Sequence, residues 1–485
     1  MPKHSSVRRA LLASLSIAAL AVPMAGQAAE GITLIGFGAR QKALAGADVA
    51  DSRDPMSMSV NPAGIVGLDY QYQFGLTALL PDRGYDATGP LVVVAPGHVD
   101  SGRPIFPVPN GGSIHPIDAD SAWGEVSYGN GGINTAYGFN NVKPPIFAPN
   151  VVVPTGLPFP PTITLKGPLI SPTFGGPFGG GFAGIDLSQA FASLVYARKF
   201  GPVTIGFAPT LALQMLNAQG LKTLAYYSQD PYHLSDNGYD WSFGGGFRIG
   251  LQYEILPGLR LGLSGATPMF MTQFDKYAGA IAEHGKLNVP ANVSAGLAYD
   301  VMPTLTAMVD WKRIFYSAVP AMGAPSFPWY PGAFGSFGGP GFGWRDTDSV
   351  AFGLECRALK PLTLRVGYNY TTPMIGPQDV TLNVLAPAIT KHHASGGFKY
   401  EITKNSSIDF ATVYAFKNTL SGPEAQPYAG FAYSLPIPPF SVPIGVAPQY
   451  NPLTKVTARL SGVEFSLSYS YKFDAGDSAL IPTHF

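Results

Sequence analysis

Fourteen stretches of alternating residues run from Leu68 to Phe473, joined by connections that are short and long by turns. In Leu362, Leu364, Val366, Tyr368 and Tyr370 every second side chain is large and apolar, while Thr363, Arg365, Gly367 and Asn369 lie between them. Tyr70 to Ala78, Phe247 to Glu254 and Val463 to Phe473 repeat the pattern. A period of two sends successive side chains to opposite faces of a strand. Strands are expected near 68–80, 121–129, 132–140, 187–200, 202–215, 241–255 and 258–270, then 288–301, 304–317, 347–358, 361–373, 391–402, 405–417 and 460–473. Tight turns fall at Asn130-Gly131, Gly201-Pro202, Leu256-Pro257, Met302-Pro303, Lys360-Pro361 and Lys404-Asn405. The other connections are long: 81–120, 141–186, 216–240, 271–287, 318–346, 374–390 and 418–459. An even strand number with short turns on one side and long loops on the other is the pattern of a membrane β-barrel, with both termini on the short-turn side.

Composition points the same way. Charged residues make up only 12% of the 485 residues, about half the usual globular share. Residues 1–28 have the form of a secretory leader: Lys3, Arg8 and Arg9, an apolar run from Ala10 to Val22, and Gly26-Gln27-Ala28 as a small-x-small cleavage site. The single cysteine, Cys356, excludes an internal disulfide framework. After the leader no apolar run is long and clean enough for a membrane helix. An exported chain of this kind can place its apolar surface on the outside of a barrel. Basic and acidic residues balance at 30 each, and removing the leader takes away only basic ones, so nucleic acid is not an expected partner.

Ahead of the strands lies a stretch rich in small residues: Gly38-Ala39-Arg40, Ala43-Leu44-Ala45-Gly46-Ala47, Asp54-Pro55 and the turn Asn61-Pro62-Ala63-Gly64. Pro62 fixes its own φ and pushes Asn61 away from helical geometry. Together with Pro290 before Gly296-Leu297-Ala298-Tyr299, Asp310-Trp311, Leu364-Arg365-Val366-Gly367-Tyr368 and Thr372-Pro373, these motifs resemble the FadL/TodX family of outer-membrane channels. The resemblance implies an all-β, 14-stranded antiparallel barrel with an N-terminal hatch inside the lumen. The expected division is a leader at 1–28, a hatch at 29–67, the barrel at 68–473 and a tail at 474–485. It also implies passive uptake of long-chain fatty acids or hydrocarbons, with release gated by the hatch and directed sideways through a kink in the third strand, beside the Asn-Pro-Ala turn. Gating residues are then Asn61, Pro62, Ala63 and the glycines Gly131, Gly132 and Gly138, since glycine weakens and bends strands. A structural or adhesive barrel that binds a surface partner through its long loops is the alternative.

No enzyme signature is present. His392-His393 alternates to opposite faces, which opposes a shared metal; no cofactor or metal is expected. Two loop segments carry three- and four-residue apolar spacing: Leu216, Leu221, Leu224 and Tyr227, and Met271, Phe274, Tyr277 and Ile281. They form either a hydrophobic groove at the mouth or a cap on the barrel. Lumen-facing Arg248, Arg365 and Lys399 either hold a fatty-acid carboxylate or neutralise Glu254, Glu355 or Glu401. The expected surroundings are outer-membrane lipid and lipopolysaccharide, and the expected state is a monomer.

Overall fold

In the computed structural model, residues 30–473 are described apart from 92, 103–104, 139–145, 148–150, 155–161, 166–168, 172–176, 180, 330–331, 426–433, 438–439 and 444–449. The leader and the tail lie outside the described residues. The first barrel strands are β1 (Gln71–Thr88), β2 (Phe106–Pro116), β3 (Ser121–Asn134), β4 (Gly184–Phe200) and β5 (Val203–Gln219). They continue as β6 (Asp240–Leu256), β7 (Leu259–Ala266), β8 (Asn292–Met302), β9 (Leu305–Ile314) and β10 (Thr347–Leu359). The last are β11 (Leu362–Thr371), β12 (His392–Glu401), β13 (Ser406–Ala425) and β14 (Tyr450–Lys472). Each pairs antiparallel with its neighbours in sequence. The ring closes where β1 meets β14, from Gln71 opposite Lys472 to Thr88 opposite Lys455. Closure leaves no sheet edge, which is the condition for strands to cross lipid.

Two faces separate as the alternation requires. On β11, Leu364 is 43% exposed and Val366 55%, while Arg365 between them is 4% exposed. On β1, Phe74 and Leu76 face out and Gln71, Gln73 and Thr77 are buried within. At the short-turn rim Tyr70 stacks on Phe473 with centroids 4.1 Å apart, and Trp123 stacks on His115 at 4.1 Å. Aromatic rings at a barrel rim sit at the membrane–water boundary. At the other rim β13 and β14, of 20 and 23 residues, exceed the ~10 needed to cross and continue into the long-loop side.

The total of fourteen is right, yet two strands are not where the sequence suggested. The second is Phe106–Pro116, and 121–134 is one strand and not two. Asn130-Gly131 is a bulge within it, where the register against β4 slips between Gly129 and Gly131. The true turn is 117–120. Pro107, Pro109, Gly111 and Gly112 disguised β2, because neither residue type favours a strand interior. Gly138 falls beyond the end of β3.

The two segments with helical spacing are not helices. Leu216 ends up in β5, and Lys222–Tyr227 is a 3₁₀ turn. Phe270–Met271 pairs with β6, Asp275–Tyr277 is 3₁₀, and Glu283 and His284 take left-handed φ values of 56° and 59°. A single 3₁₀ turn satisfies three-residue spacing without further helix. Within the loop left without structure in the sequence, Val151–Pro154 pairs with Thr162–Leu165.

Residues 30–65 are almost wholly buried. A short helix, Ala39–Ala43, lies against β12 and β13; a 3₁₀ turn at Pro55–Ser59 lies against β2 and β3; another at Pro62–Ile65 lies against β4, β5 and β6. Asp54 and Asn61 cap these turns, accepting from Ser57 N at 3.2 Å and Ala63 N at 3.1 Å.

The face assignment is testable. Val366→Arg places a charge on the lipid face near mid-membrane and is expected to destabilise the barrel by roughly 2–4 kcal/mol, read by reversible urea unfolding in lipid vesicles. Val366→Leu, which keeps this position apolar, is not expected to show the penalty.

Candidate functional site

The Asn61-Pro62 turn sits on a seat made by two glycines. Gly206 on β5 and Gly250 on β6 are directly opposite in the ladder. A Cβ at Gly206 would lie 2.3 Å from the Pro62 carbonyl carbon, and one at Gly250 1.9 Å from Asn61 Oδ1. Asn61 Nδ2 donates to Val49 O at 2.8 Å and to Leu251 O at 3.1 Å, tying the segment to itself and to β6. The turn therefore touches the wall, but not at the kink implied by the family resemblance. The bulge on β3 is met instead by Leu34, whose N–H donates to Asn130 O at 3.0 Å.

Charge holds the N-terminal segment to the opposite wall. Arg40, 1% exposed, pairs with Asp48, with Asp51 at 2.7 Å and with Glu355 of β10 at 2.9 Å. Arg260 of β7 reaches Asp51 at 2.8 Å and Asp300 at 2.7 Å. Lys42 pairs with Glu464 of β14. Asp310 Oδ2 on β9 accepts from the backbone N–H of Asp48 and Val49 at 2.7 and 2.8 Å. Burial alone would raise the Asp51 pKa, but the guanidiniums of Arg40, Arg53 and Arg260 outweigh it and hold the carboxyl below its usual range. Sequence reasoning missed this cluster; Arg40 and its acidic neighbours stood out only as rare charges in a stretch of small residues.

The three candidate cations part company. Arg365 is spent on the wall: it bonds Glu355 at 2.8 Å and Asp409 at 2.6 Å. Lys399 has no ion pair within 4 Å among the described residues. Neither has Arg248, whose Nη1 donates only to neutral oxygens, at 3.2 Å to Val60 O and 3.3 Å to Ser264 Oγ and Asn292 Oδ1. Arg248 lines a cavity of about 50 Å³ between the N-terminal segment and the wall, shared with Phe37, Asn130, Phe191 and Met269. That volume is far below the ~300 Å³ of a typical ligand pocket. His393 is buried inward and His392 turns out to Tyr368, at 2.6 Å, so they do not share a site.

On the long-loop side Leu216, Leu221, Leu224, Phe274 and Tyr277 are buried in one apolar cluster, with Tyr227 and Ile281 against it. Trp329, Trp344 and Ile32 belong to the same cluster. Met271 belongs to a second cluster inside the barrel, with Leu34, Phe37, Met56 and Phe191. The two loop segments thus do meet, in one packed apolar cluster.

Between β2 and β3 the hydrogen-bonded ladder stops short, although Val108 still lies against Gly129. Their ladder runs from Asn110 opposite Tyr128 to Pro116 opposite Ala122. Above it, among the described residues, Phe106–Pro109 pairs only with β1, and Gly129 and Gly131–Asn134 only with β4. The gap is bounded at the top by Gly102 N donating to Ala136 O at 2.6 Å. Pro107 and Pro109 have no N–H to offer across it. Gly131 takes φ 124°, and a Cβ at Gly132 would lie 1.8 Å from Leu187 O; the bulge accepts no other residue there. Gly131 and Gly132 therefore sit at the window, and Gly138 lies above it.

The family model of the outer membrane protein transport proteins (OMPP1/FadL/TodX) matches residues 15–473. No curated protein matches the chain in sequence. Among solved structures, the Pseudomonas putida toluene transporter TodX superposes with a TM-score of 0.56 at 16% identity, over 90% of this chain and 99% of that one. A Pseudomonas aeruginosa FadL homologue gives 0.59 at 15% identity, over 92% and 100%. The Ralstonia pickettii toluene transporter TbuX gives 0.55 at 16%, over 91% and 99%. At these identities the likeness establishes a shared fold.

Removing the central cation tests what the ion pairs hold. Arg40→Met leaves Asp48, Asp51 and Glu355 without their common partner, a loss on the order of 3–5 kcal/mol, while every wall ladder stays intact. The variant is expected to insert as a folded barrel, migrating as such in unheated gels, and to raise ion conductance in planar bilayers. A folded variant that stays as closed as wild type would show that these pairs do not keep the segment in place.

Proposed function

Because the chain belongs to the OMPP1/FadL/TodX family and is an outer-membrane channel for hydrophobic compounds, we propose that it takes up long-chain fatty acids or hydrocarbons and releases them sideways through the window between β2 and β3. The observation that carries this reading is the early end of the β2–β3 ladder, met from within by the Leu34–Asn130 bond.

Transport in this scheme is passive. Apolar surface moved out of water gains about 25 cal/mol per Å², so the solute is captured where the loop cluster opens and has no reason to re-enter an aqueous route. The inner cavity is too small for an alkyl chain, so residues 29–67 act as a hatch that must shift before a solute passes. Lateral exit then delivers the solute into lipid and spares it a second passage through water. The barrel works as a monomer in outer-membrane lipid and lipopolysaccharide, and no covalent chemistry is involved. Arg248 is the cation best suited to an acidic solute, since its present partners are all neutral and it lines the cavity; Arg365 is already neutralised.

A reversible staple tests the exit. The Cβ direction of Gly129 lies 3.7 Å from Val108 Cβ, within the span a disulfide bridges. In a Cys356→Ala background, Val108→Cys with Gly129→Cys is expected to block uptake of a hydrophobic solute into cells when oxidised and to restore it on reduction. Undiminished uptake with the disulfide formed rules out this exit. The head-group question has its own measurement. A hydrogen bond to a charged group is worth about 1.5–3 kcal/mol, so Arg248→Leu is expected to weaken oleate binding roughly tenfold or more and leave a matching alkene unchanged. Equal effects on both would assign Arg248 to the wall.

A further inference from the structure

The two apolar clusters are stacked along β4 and β5, and a polar pair divides them. Leu187 opposite Leu216 belongs to the loop-side cluster, and Phe191 opposite Ala212 belongs to the inner one. Between them Gln189 faces Gln214. Both amides are buried, at 2% and 0% exposure. Gln189 Oε1 accepts from Asn130 Nδ2 at 2.9 Å. Gln189 Nε2 and both polar atoms of Gln214 have no partner among the described residues. A buried amide left unpaired costs about 1–3 kcal/mol per group, and two leucines would fill this place without that cost. Amides at the seam are therefore free to meet a polar group that arrives from outside the chain.

We propose that Gln189 and Gln214, steadied by Asn130, recognise one uncharged hydrogen-bonding group on an otherwise apolar solute: a hydroxyl, as in a long-chain alcohol or an alkylphenol. The inference rests on the uptake reading above. The free atoms are two donors and one acceptor, and a hydroxyl both accepts and donates. A carboxylate does not suit the position, since all six side chains at these three register pairs are neutral and a buried anion needs a cation. The seam also adjoins the exit. Asn130 holds Gln189 with its side chain and Leu34 with its carbonyl oxygen, 3.0 Å from the Leu34 nitrogen, so a head group on the amides rests beside the bulge of β3.

The test uses a matched pair, 4-butylphenol and butylbenzene, titrated calorimetrically into the purified full-length barrel in detergent. Wild type is expected to bind the phenol more tightly. Gln214→Leu and Gln189→Leu are each expected to weaken the phenol roughly fivefold, the worth of one ordinary hydrogen bond, and to leave butylbenzene within about twofold, which also reports an intact fold. Gln214→Asn, which keeps the amide, is expected to retain part of the preference. If both leucine variants leave the phenol-to-hydrocarbon ratio at its wild-type value, the recognition point is wrong while the uptake reading stands. If wild type binds neither compound, the uptake reading fails, and this inference with it.

Discussion

The guanidinium of Arg40 is the fixed point of this molecule. It is fully buried inside the ring and shared by Asp48, Asp51 and Glu355, and Glu355 is in turn shared with Arg53, Arg357 and Arg365. Buried ion pairs are weak stabilisers, because desolvation offsets most of their attraction. Their value here is positional. The residues from Gly38 to Gly67 hold few large apolar side chains, and such a segment cannot build a core of its own. A charge cluster with several fixed wall partners specifies one placement where apolar packing alone would allow many. The barrel depends on it little for stability, since its own ladders supply most of its backbone bonds.

That division of labour explains the window. In lipid an unpaired backbone group costs several kcal/mol, so a gap in the wall needs every exposed group accounted for. Pro107 and Pro109 remove two donors from one edge. On the other edge the Asn130 carbonyl is satisfied from inside, by Leu34. With the N-terminal segment in place the Asn130 carbonyl at the gap is satisfied, and the segment's placement depends on Arg40. Wall, gap and interior form one dependent system.

How much of this could be read from the chain follows from the range of each interaction. The outward and inward faces of β1, β6, β11 and β14 were legible because alternation is a local property, and lipid and lumen impose opposite demands on it. β2 was not legible: its prolines and glycines, which suit an edge beside a gap, read as loop. The bulge at Asn130-Gly131 carries the dipeptide of a tight hairpin, and only the pairing of Gly131 with Gln189 and of Gly132 with Ser188 tells them apart. The helical spacing in 216–227 and 271–283 was real as spacing, but isolated 3₁₀ turns produced it. Least legible were the site contacts. Arg40 finds Glu355 across 315 positions, and Asn61 finds Leu251 across 190, and no local pattern encodes a partner at that distance. Arg365 shows the converse, since its inward face was predictable and its employment by Asp409 was not.

The same contacts indicate which part of the interior can move. Parting β2 from β3 would sever the ladder from Asn110–Tyr128 to Pro116–Ala122, several backbone bonds in apolar surroundings at several kcal/mol each. Displacing the Arg40 cluster would strand buried charges. The stretch from Glu30 to Phe37 has lighter ties. At one end Ile32 N donates to the Tyr316 hydroxyl at 3.1 Å and Glu30 meets Lys312; at the other Leu34 N bonds Asn130 and the Phe37 ring lies 4.4 Å from Tyr128. This arm spans from the loop-side cluster, which contains Ile32, to the window, which Leu34 covers. On the proposed route, a solute entering that cluster would compete with Ile32 for the same apolar surface. What it displaces is attached, two residues on, to the bond that closes the wall.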